Sequence, residues 1–157
     1  MNDENWKRYK SHISKSSSAV WAVAKYIHSL DISVTVNKTE VAPSKEEYYD
    51  YVDDGDIIAH TSSGDKIIEV KNVSLEFESH EDFIYDTFIV CAKRAFDRHE
   101  TKPYAYFLVN KNMTHAMIVK SETKDSWQVK ELKDHRYQNW EQKFYISNHN
   151  IHKIIKL

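Results

Sequence analysis

Two carboxylates and one ammonium are spaced so that a β-hairpin would bring them together. Asp56 opens one apolar, β-branched run, and Glu69 and Lys71 close a second such run. The polar segment 61–65 between the runs predicts the turn of a β-hairpin. Alternate side chains of a strand share a face, so Glu69 and Lys71 lie on one face and the preceding strand brings Asp56 beside them.

That combination of side chains predicts chemistry on phosphate esters. Two carboxylates, Asp56 and Glu69, suit a hard divalent cation such as Mg²⁺, which takes oxygen ligands. A cation held there would polarise a phosphoryl oxygen and lower the pKa of a bound water. Lys71 would orient that water or offset the charge that builds up on the phosphate.

The pattern of Asp56, twelve residues, then Glu69-Val70-Lys71 closely resembles that of the PD-(D/E)XK nuclease superfamily. The resemblance implies that Asp56 and Glu69 bind Mg²⁺, with Mn²⁺ as a substitute, and that the Val70 carbonyl is a further ligand. It also implies that Lys71 is the catalytic lysine. Gly55 stands where the family name has a proline.

A further acid is present in many members of that superfamily. Glu40 or Asp54 would supply it here, and the sequence does not decide between them. No acid lies between Trp6 and His28, which is a departure from many members.

The elements that must position these residues are predicted in the order helix, three strands, helix, strand. Apolar residues at helical spacing predict the two helices, and alternating or continuous apolar runs predict the strands around the motif hairpin. The segment before the hairpin, 45–52, is expected as a short helix or an irregular excursion. The predicted helices cover 6–29 and 83–98, and the predicted outer strands cover 32–41 and 104–110. This order matches the αβββαβ restriction-endonuclease-like core, an α/β fold with a mixed central sheet, that the resemblance implies.

The remainder of the chain is predicted as a C-terminal β-rich elaboration. Strands over 115–120 and 127–132 are expected to form a hairpin, followed by strands at 144–146 and 151–157. The whole chain, 1–157, is expected to form a single domain, since its length suits one core.

Composition narrows the class of protein. Hydrophobic content of 41% and aromatic content of 13% argue against disorder. Two glycines leave no phosphate-cradling glycine loop, and the single Cys91 rules out thiolate zinc clusters and fits a reducing compartment. No signal-peptide pattern or membrane-length apolar run is present, so a cytoplasmic protein without a membrane partner is expected.

The expected partner is a nucleic acid, and DNA is favoured over RNA. The net charge of −2 shows no overall basic excess, which most nucleic-acid-binding proteins have. Lys93, Arg94 and Arg98 lie off the apolar stripe of the second predicted helix and are candidates for phosphate contacts. A solvated helix face explains them equally well. The oligomeric state, whether a homodimer or part of a larger complex, is left open.

The preferred hypothesis is therefore a Mg²⁺-dependent nuclease that hydrolyses phosphodiester bonds, as an endonuclease or an exonuclease. The first alternative is a catalytically inactive module on the same fold that binds nucleic acid or protein. The second is an interaction protein in which the trio is only the charged face of a hairpin, with Glu69 and Lys71 as a weak ion pair.

Overall fold

The chain folds into a mixed α/β arrangement with one sheet of six strands and one of three. The structure is a computed structural model and describes residues 2–38, 41–48, 55–134 and 140–157. Two helices and nine strands follow one another in these segments: α1 (Asp3–Ser29), β1 (Ser33–Val36), β2 (Ile57–Thr61), β3 (Gly64–Asn72), β4 (Thr87–Ala92), α2 (Lys93–Arg98), β5 (Ala105–Val109), β6 (His115–Lys120), β7 (Gln128–Asp134), β8 (Trp140–Asn148) and β9 (Lys153–Lys156).

Helix α1 confirms the first predicted helix and begins three residues earlier than expected. Asn2 caps it, because its side chain accepts a hydrogen bond of 2.8 Å from the Asn5 amide. Small and branched residues in its second half are buried against the six-stranded sheet: Ala19, Val20, Val23, Ala24 and Ile27.

The six-stranded sheet has the order β1-β2-β3-β5-β6-β9. Strands β3 and β5 are parallel, and every other neighbouring pair is antiparallel, so the sheet is mixed as predicted. The crossover from β3 to β5 carries β4 and α2. Strand β5 is buried on both faces and forms the centre of the molecule.

Two hydrophobic cores lie on opposite faces of β5. Phe107 belongs to the core under α1, whereas Tyr106 and Leu108 belong to the core under the second sheet. That second sheet is antiparallel with the order β4-β8-β7. The molecule therefore has three layers, because a helix covers one face of the central sheet and a small sheet with α2 covers the other.

The elements around the motif largely match the prediction. The β2–β3 hairpin and strand β5 are confirmed, and β1 is shorter than the predicted strand 32–41. The described part of 45–52, residues 45–48, forms bends and a turn, and the rest of that prediction lies outside the described residues.

The predicted helix over 83–98 is wrong. Residues 87–92 form β4, and only Lys93–Arg98 are helical. Strand β4 pairs with β8 and buries Val90 and Cys91 in the core under the second sheet. An apolar run of this length satisfies a strand as well as a helix, and the long-range pairing with β8 decides the outcome.

The hairpin predicted over 115–132 is also wrong, although both of its strands exist. Strand β6 pairs with β5 and β9, whereas β7 pairs with β8 in the other sheet. Residues 121–126 form a 3₁₀ segment, and Trp127 is buried beyond it with its indole Nε1 donating to Thr123 Oγ1 at 3.0 Å. Trp127 belongs to the core under the second sheet, and β7, which begins at the next residue, is part of that sheet. The C-terminal β-rich elaboration is confirmed.

Among the described residues, neither helix combines the length and the apolar character that crossing a bilayer requires.

Candidate functional site

Asp56 is held by its own backbone at the start of the hairpin. Its amide donates to the Ile68 carbonyl at 3.1 Å, and its carbonyl accepts from the Asn37 amide at 2.9 Å. Its carboxylate oxygen Oδ2 accepts a 2.7 Å hydrogen bond from the Val70 amide. The carboxylate therefore has one oxygen fixed on β3 and one left for a second partner.

Glu69 follows Ile68, the last residue of β3 that pairs with β2. The register ends at the pair Ile57–Ile68, and the Asp56 amide also donates to the Ile68 carbonyl, so Asp56 lies beside the segment that carries Glu69. Ile68 and Val70 are buried toward α1, so Glu69 faces the other side of the sheet. The sequence prediction that the hairpin brings these residues together is consistent with this register.

Burial raises the pKa of the Asp56 carboxyl. The Val70 amide and the positive charge of Lys71 act in the opposite direction on that pKa. A hydrogen bond with the Glu69 side chain lowers it as well. The Glu69 side chain thus lies close enough to act on the ionisation of Asp56.

Lys71 shares the Glu69 face of β3. Its ammonium Nζ lies 5.9 Å from the centroid of the Tyr106 ring, a cation–π distance. Tyr106 pairs with Glu69 in the parallel register of β3 and β5. The Tyr106 side chain is therefore a neighbour of both charged residues. Burial raises the pKa of the Tyr106 phenol, which therefore stays protonated. Neither sequence spacing nor residue type marked Tyr106 as part of this site.

Gly55 fixes the entry to the site. Its φ is +93°, and a Cβ there would lie 2.4 Å from Ile67 Cγ2. A proline, whose ring holds φ near −65°, cannot adopt this conformation. The Asn37 amide group donates to the Gly55 carbonyl at 2.9 Å. The residue that departs from the family name is thus required by this backbone.

A cleft of about 500 Å³ opens beside Glu69. Gly55, Ile67 and Glu69 form one wall, and the end of α2 with the segment after it forms the other: Arg98, His99, Glu100, Thr101 and Pro103. Of this second wall the sequence indicated only Arg98, because the residues after it lie in a short polar loop with no motif.

The three predicted phosphate contacts are not equivalent. Arg98 lines the cleft. Lys93 forms an ion pair with Asp97, whose carboxylate also accepts from the Tyr145 hydroxyl at 2.7 Å. Arg94 is exposed on the surface of α2. Of the three, Arg98 is therefore the candidate that shares the cleft with Glu69.

The candidates for a further acid, Glu40 and Asp54, lie outside the described residues. Within residues 2–38, 41–48, 55–134 and 140–157, no group of three or more His, Cys, Asp or Glu side chains converges to hold a metal ion. Among these residues, the candidate donors for a metal are therefore the side chains of Asp56 and Glu69 and the backbone of Val70. Glu100, which sequence reasoning did not select, lines the same cleft.

Comparisons with protein-family models, with curated proteins and with solved structures gave no match to this chain.

Proposed function

We propose that this chain is a Mg²⁺-dependent nuclease of the PD-(D/E)XK type that hydrolyses phosphodiester bonds. DNA is the substrate that we favour over RNA. The observation that carries the proposal is the half-buried Asp56 carboxylate bonded to the Val70 amide, next to Glu69, which lines a cleft and shares a face of β3 with Lys71. A charged hairpin surface would keep two such carboxylates apart in solvent, because repulsion disfavours their joint burial.

The architecture supports the restriction-endonuclease-like fold. The helix α1, the meander β1–β2–β3 and the parallel strand β5 occur in the expected order, with the acid and the Glu-x-Lys segment on the second and third strands. The inserted strand β4 and the brevity of α2 are departures from the expected αβββαβ core.

The residues present fit a hard divalent cation. The carboxylates of Asp56 and Glu69 supply oxygen ligands, which Mg²⁺ prefers. The ladder between β2 and β3 ends at the pair Ile57–Ile68, and the Val70 amide beyond it bonds to the Asp56 side chain. The carbonyl of a strand residue points to the same side as its amide, so the Val70 carbonyl is also directed toward Asp56. When bound, the ion would polarise a phosphoryl oxygen and lower the pKa of a coordinated water.

Lys71 has the role of a fixed positive charge next to the reacting phosphate. Its distance to the Tyr106 ring places the ammonium group on the carboxylate face, where it can donate hydrogen bonds to a phosphate oxygen or to the attacking water. Such donors lower the barrier because they are oriented before charge develops.

The cleft supplies the path of the substrate. Arg98 lines it opposite Glu69, and a guanidinium group binds phosphate oxygens in a bidentate manner. The backbone of a nucleic acid lying in the cleft would then be held between Arg98 and the metal ligands.

The test is cleavage of a panel of labelled duplex, flap, junction and single-stranded substrates with Mg²⁺, with Mn²⁺ and with EDTA. We expect cutting of at least one substrate with either metal and none with EDTA. The substitution Lys71→Met should lower the single-turnover rate by about a hundredfold or more, since it removes a transition-state donor. Binding of the substrate should change little.

The matched control is Lys153→Met, which removes an exposed lysine of β9 and should cut at the parental rate. A panel that stays uncut with both metals would contradict the enzyme proposal. Salt-dependent binding without cutting would then identify the inactive binding module on the same fold, and absence of binding would leave the trio as a charged hairpin face.

A further inference from the structure

An exposed aromatic ring lies at the edge of the cleft, where no role has been assigned. Tyr104 immediately precedes β5, and 40% of it is exposed. Its amide donates to the Ile67 carbonyl at 2.7 Å, and its carbonyl accepts from the Ser121 amide at 3.0 Å. Both hydrogen bonds fix the backbone of Tyr104 between β3 and β6, so the ring is presented from a rigid position.

Two ammonium groups converge on this ring from different strands. Lys66 Nζ of β3 lies 5.2 Å from the Tyr104 ring centroid, and Lys120 Nζ of β6 lies 5.8 Å from it. These strands flank β5 on either side. Two like charges held about one exposed ring repel each other, and an anion placed between them would be attracted by both.

One acid pairs with this cluster, and only loosely. Glu122 lies 3.8 Å from the Lys120 ammonium with both side chains largely exposed, and such pairs contribute little to stability, so an anionic ligand can compete with Glu122 for Lys120. Asp65, which precedes Lys66, is bonded to the His60 ring at 2.8 Å.

The patch and the cleft lie on opposite faces of the sheet. Lys66 pairs with Ala59 and Lys120 pairs with Ala105, and both alanines belong to the core under α1. The cleft contains Glu69, which faces the other side, and its lining includes Ile67 and Pro103, the chain neighbours of Lys66 and Tyr104. The two sites therefore share the end of the sheet at which β5 begins.

We propose that Lys66, Tyr104 and Lys120, here called the Tyr104 platform, bind a single-stranded segment of nucleic acid. A base stacks on the Tyr104 ring, and the two lysines contact the phosphates on either side of that base. Aromatic rings flanked by cationic side chains bind single strands in this way without sequence preference. The inference rests on the proposed function only in assigning cleavage to the cleft on the other face of the sheet; binding by the platform requires no metal.

The test is fluorescence anisotropy with a labelled oligodeoxyuridylate of about a dozen nucleotides, in EDTA so that no cleavage occurs. Tyr104→Ala should weaken binding about tenfold or more, since it removes a stacking surface. Tyr104→Phe keeps the ring and should bind as the parent does. Lys66→Gln and Lys120→Gln should each flatten the slope of log K against log salt by about 0.7.

Two variants away from the platform serve as controls. Tyr85→Ala removes a more exposed tyrosine from the loop before β4, and Lys153→Gln removes an exposed lysine from β9. Neither should change the affinity or the salt slope. Thermal melts establish whether each variant is folded. If Tyr104→Ala does not fold, the salt slopes of the two lysine variants decide the outcome.

Oligouridylate and a duplex of equal length complete the design. Similar effects of Tyr104→Ala with the deoxy and ribo strands would show that the platform reads the base and the phosphates, and a smaller effect with duplex would show that it needs an unpaired base. Equal binding of oligodeoxyuridylate by parent and Tyr104→Ala, or an equal loss in Tyr85→Ala, would overturn the platform.

The two proposals fail separately. Loss of binding in the platform variants of a protein that cuts no substrate would sustain the platform and overturn the nuclease. Metal-dependent cutting by a parent that binds no single strand would overturn the platform and sustain the nuclease.

Discussion

The Asp56 carboxylate is under two opposing demands. Burial disfavours its ionised form, whereas the Val70 amide, the Lys71 charge and the Glu69 side chain favour ionisation. Two carboxylates about 5 Å apart repel each other by at most about 3 kcal/mol at an effective dielectric of 20. A bound cation would remove this repulsion, which is the reason to regard the pair as a metal site rather than as a stabilising feature.

Asp56→Asn should therefore leave the metal-free protein as stable as the parent or more stable. The asparagine Oδ1 can still accept from the Val70 amide, and the repulsion is gone. The parent should melt at a higher temperature with Mn²⁺ than with EDTA, because a ligand of the native state alone stabilises it. This increase should be smaller in the variant. A variant that melts clearly lower in EDTA, beside a parent indifferent to Mn²⁺, would contradict the site.

The thermal stabilities of the parent and of Asp56→Asn should respond differently to pH. Because the pKa of Asp56 is raised in the folded state above its ordinary 3.8, the folded protein holds this proton more tightly than the unfolded chain does. Stability from the protonated carboxyl is then present below pH 3.8 and is lost as the pH rises through the higher folded pKa. In EDTA, Asp56→Asn and the parent should melt alike in acid, and the variant should gain on the parent toward neutral pH. A difference that shrinks with rising pH would contradict the raised pKa.

Gly55 and Gly64 form a natural comparison at the entry to the site and at the hairpin turn. Both have positive φ, at +93° and +110°, but a Cβ meets Ile67 only at Gly55 and meets nothing within 4 Å at Gly64. Gly64→Ala should cost about 1–2 kcal/mol of backbone strain. Gly55→Ala should lower the free energy of unfolding, measured with denaturant, by more than Gly64→Ala does. It should also lower metal-dependent cleavage because it displaces Asp56. Equal losses of stability would show that Ile67 moves aside freely.

At the scale of the elements, the sequence predicted the parts whose determinants are local. The stripe of α1, the alternation in β3 and the glycine turn at Gly64 are all readable within one segment, and the register follows from them. The strand β4 was predicted as part of a helix because its apolar residues, together with those of α2, recur at helical spacing. Its pairing with β8 depends on residues far along the chain.

The candidate site was predictable from the sequence only where its determinants are local. The proximity of Asp56 and Glu69 follows from the length of one hairpin. The second wall of the cleft and the Tyr106 ring come from the β3–β5 crossover and its parallel register. No local pattern encodes those contacts.

The two ends of α2 differ as candidates for phosphate contacts. Arg98, at its C-terminal end, lines the cleft, whereas Lys93 forms an ion pair with Asp97. Arg98→Gln should weaken binding of duplex DNA and reduce the slope of log K against log salt by about 0.9. Lys93→Gln should have the smaller effect, and Lys153→Gln should have none. Unchanged affinity and salt slope in Arg98→Gln would exclude the C-terminal end of α2 from the path of the substrate.

At the scale of the whole molecule, the two cores share the central strand. Phe107 and Val109 of β5 belong to one core, and Tyr106 and Leu108 to the other. Disruption of β5 exposes both cores at once, so the chain should unfold as the single domain that its length predicted. Tryptophan fluorescence, which includes buried Trp127 of the second core, and far-ultraviolet circular dichroism should give one midpoint in urea. Two separate midpoints would show that the layers fold independently.

The central claim is that Asp56 and Glu69 jointly bind a divalent cation. A crystal of the protein soaked in Mn²⁺ tests it most directly, by anomalous scattering at the manganese edge. We predict one strong anomalous peak between the two carboxylates, with oxygens of Asp56, Glu69 and the Val70 carbonyl at about 2.1–2.2 Å, and its loss in Asp56→Asn. A soaked crystal with no peak there, or with manganese only at other acids, would contradict the metal site and the nuclease proposal that depends on it.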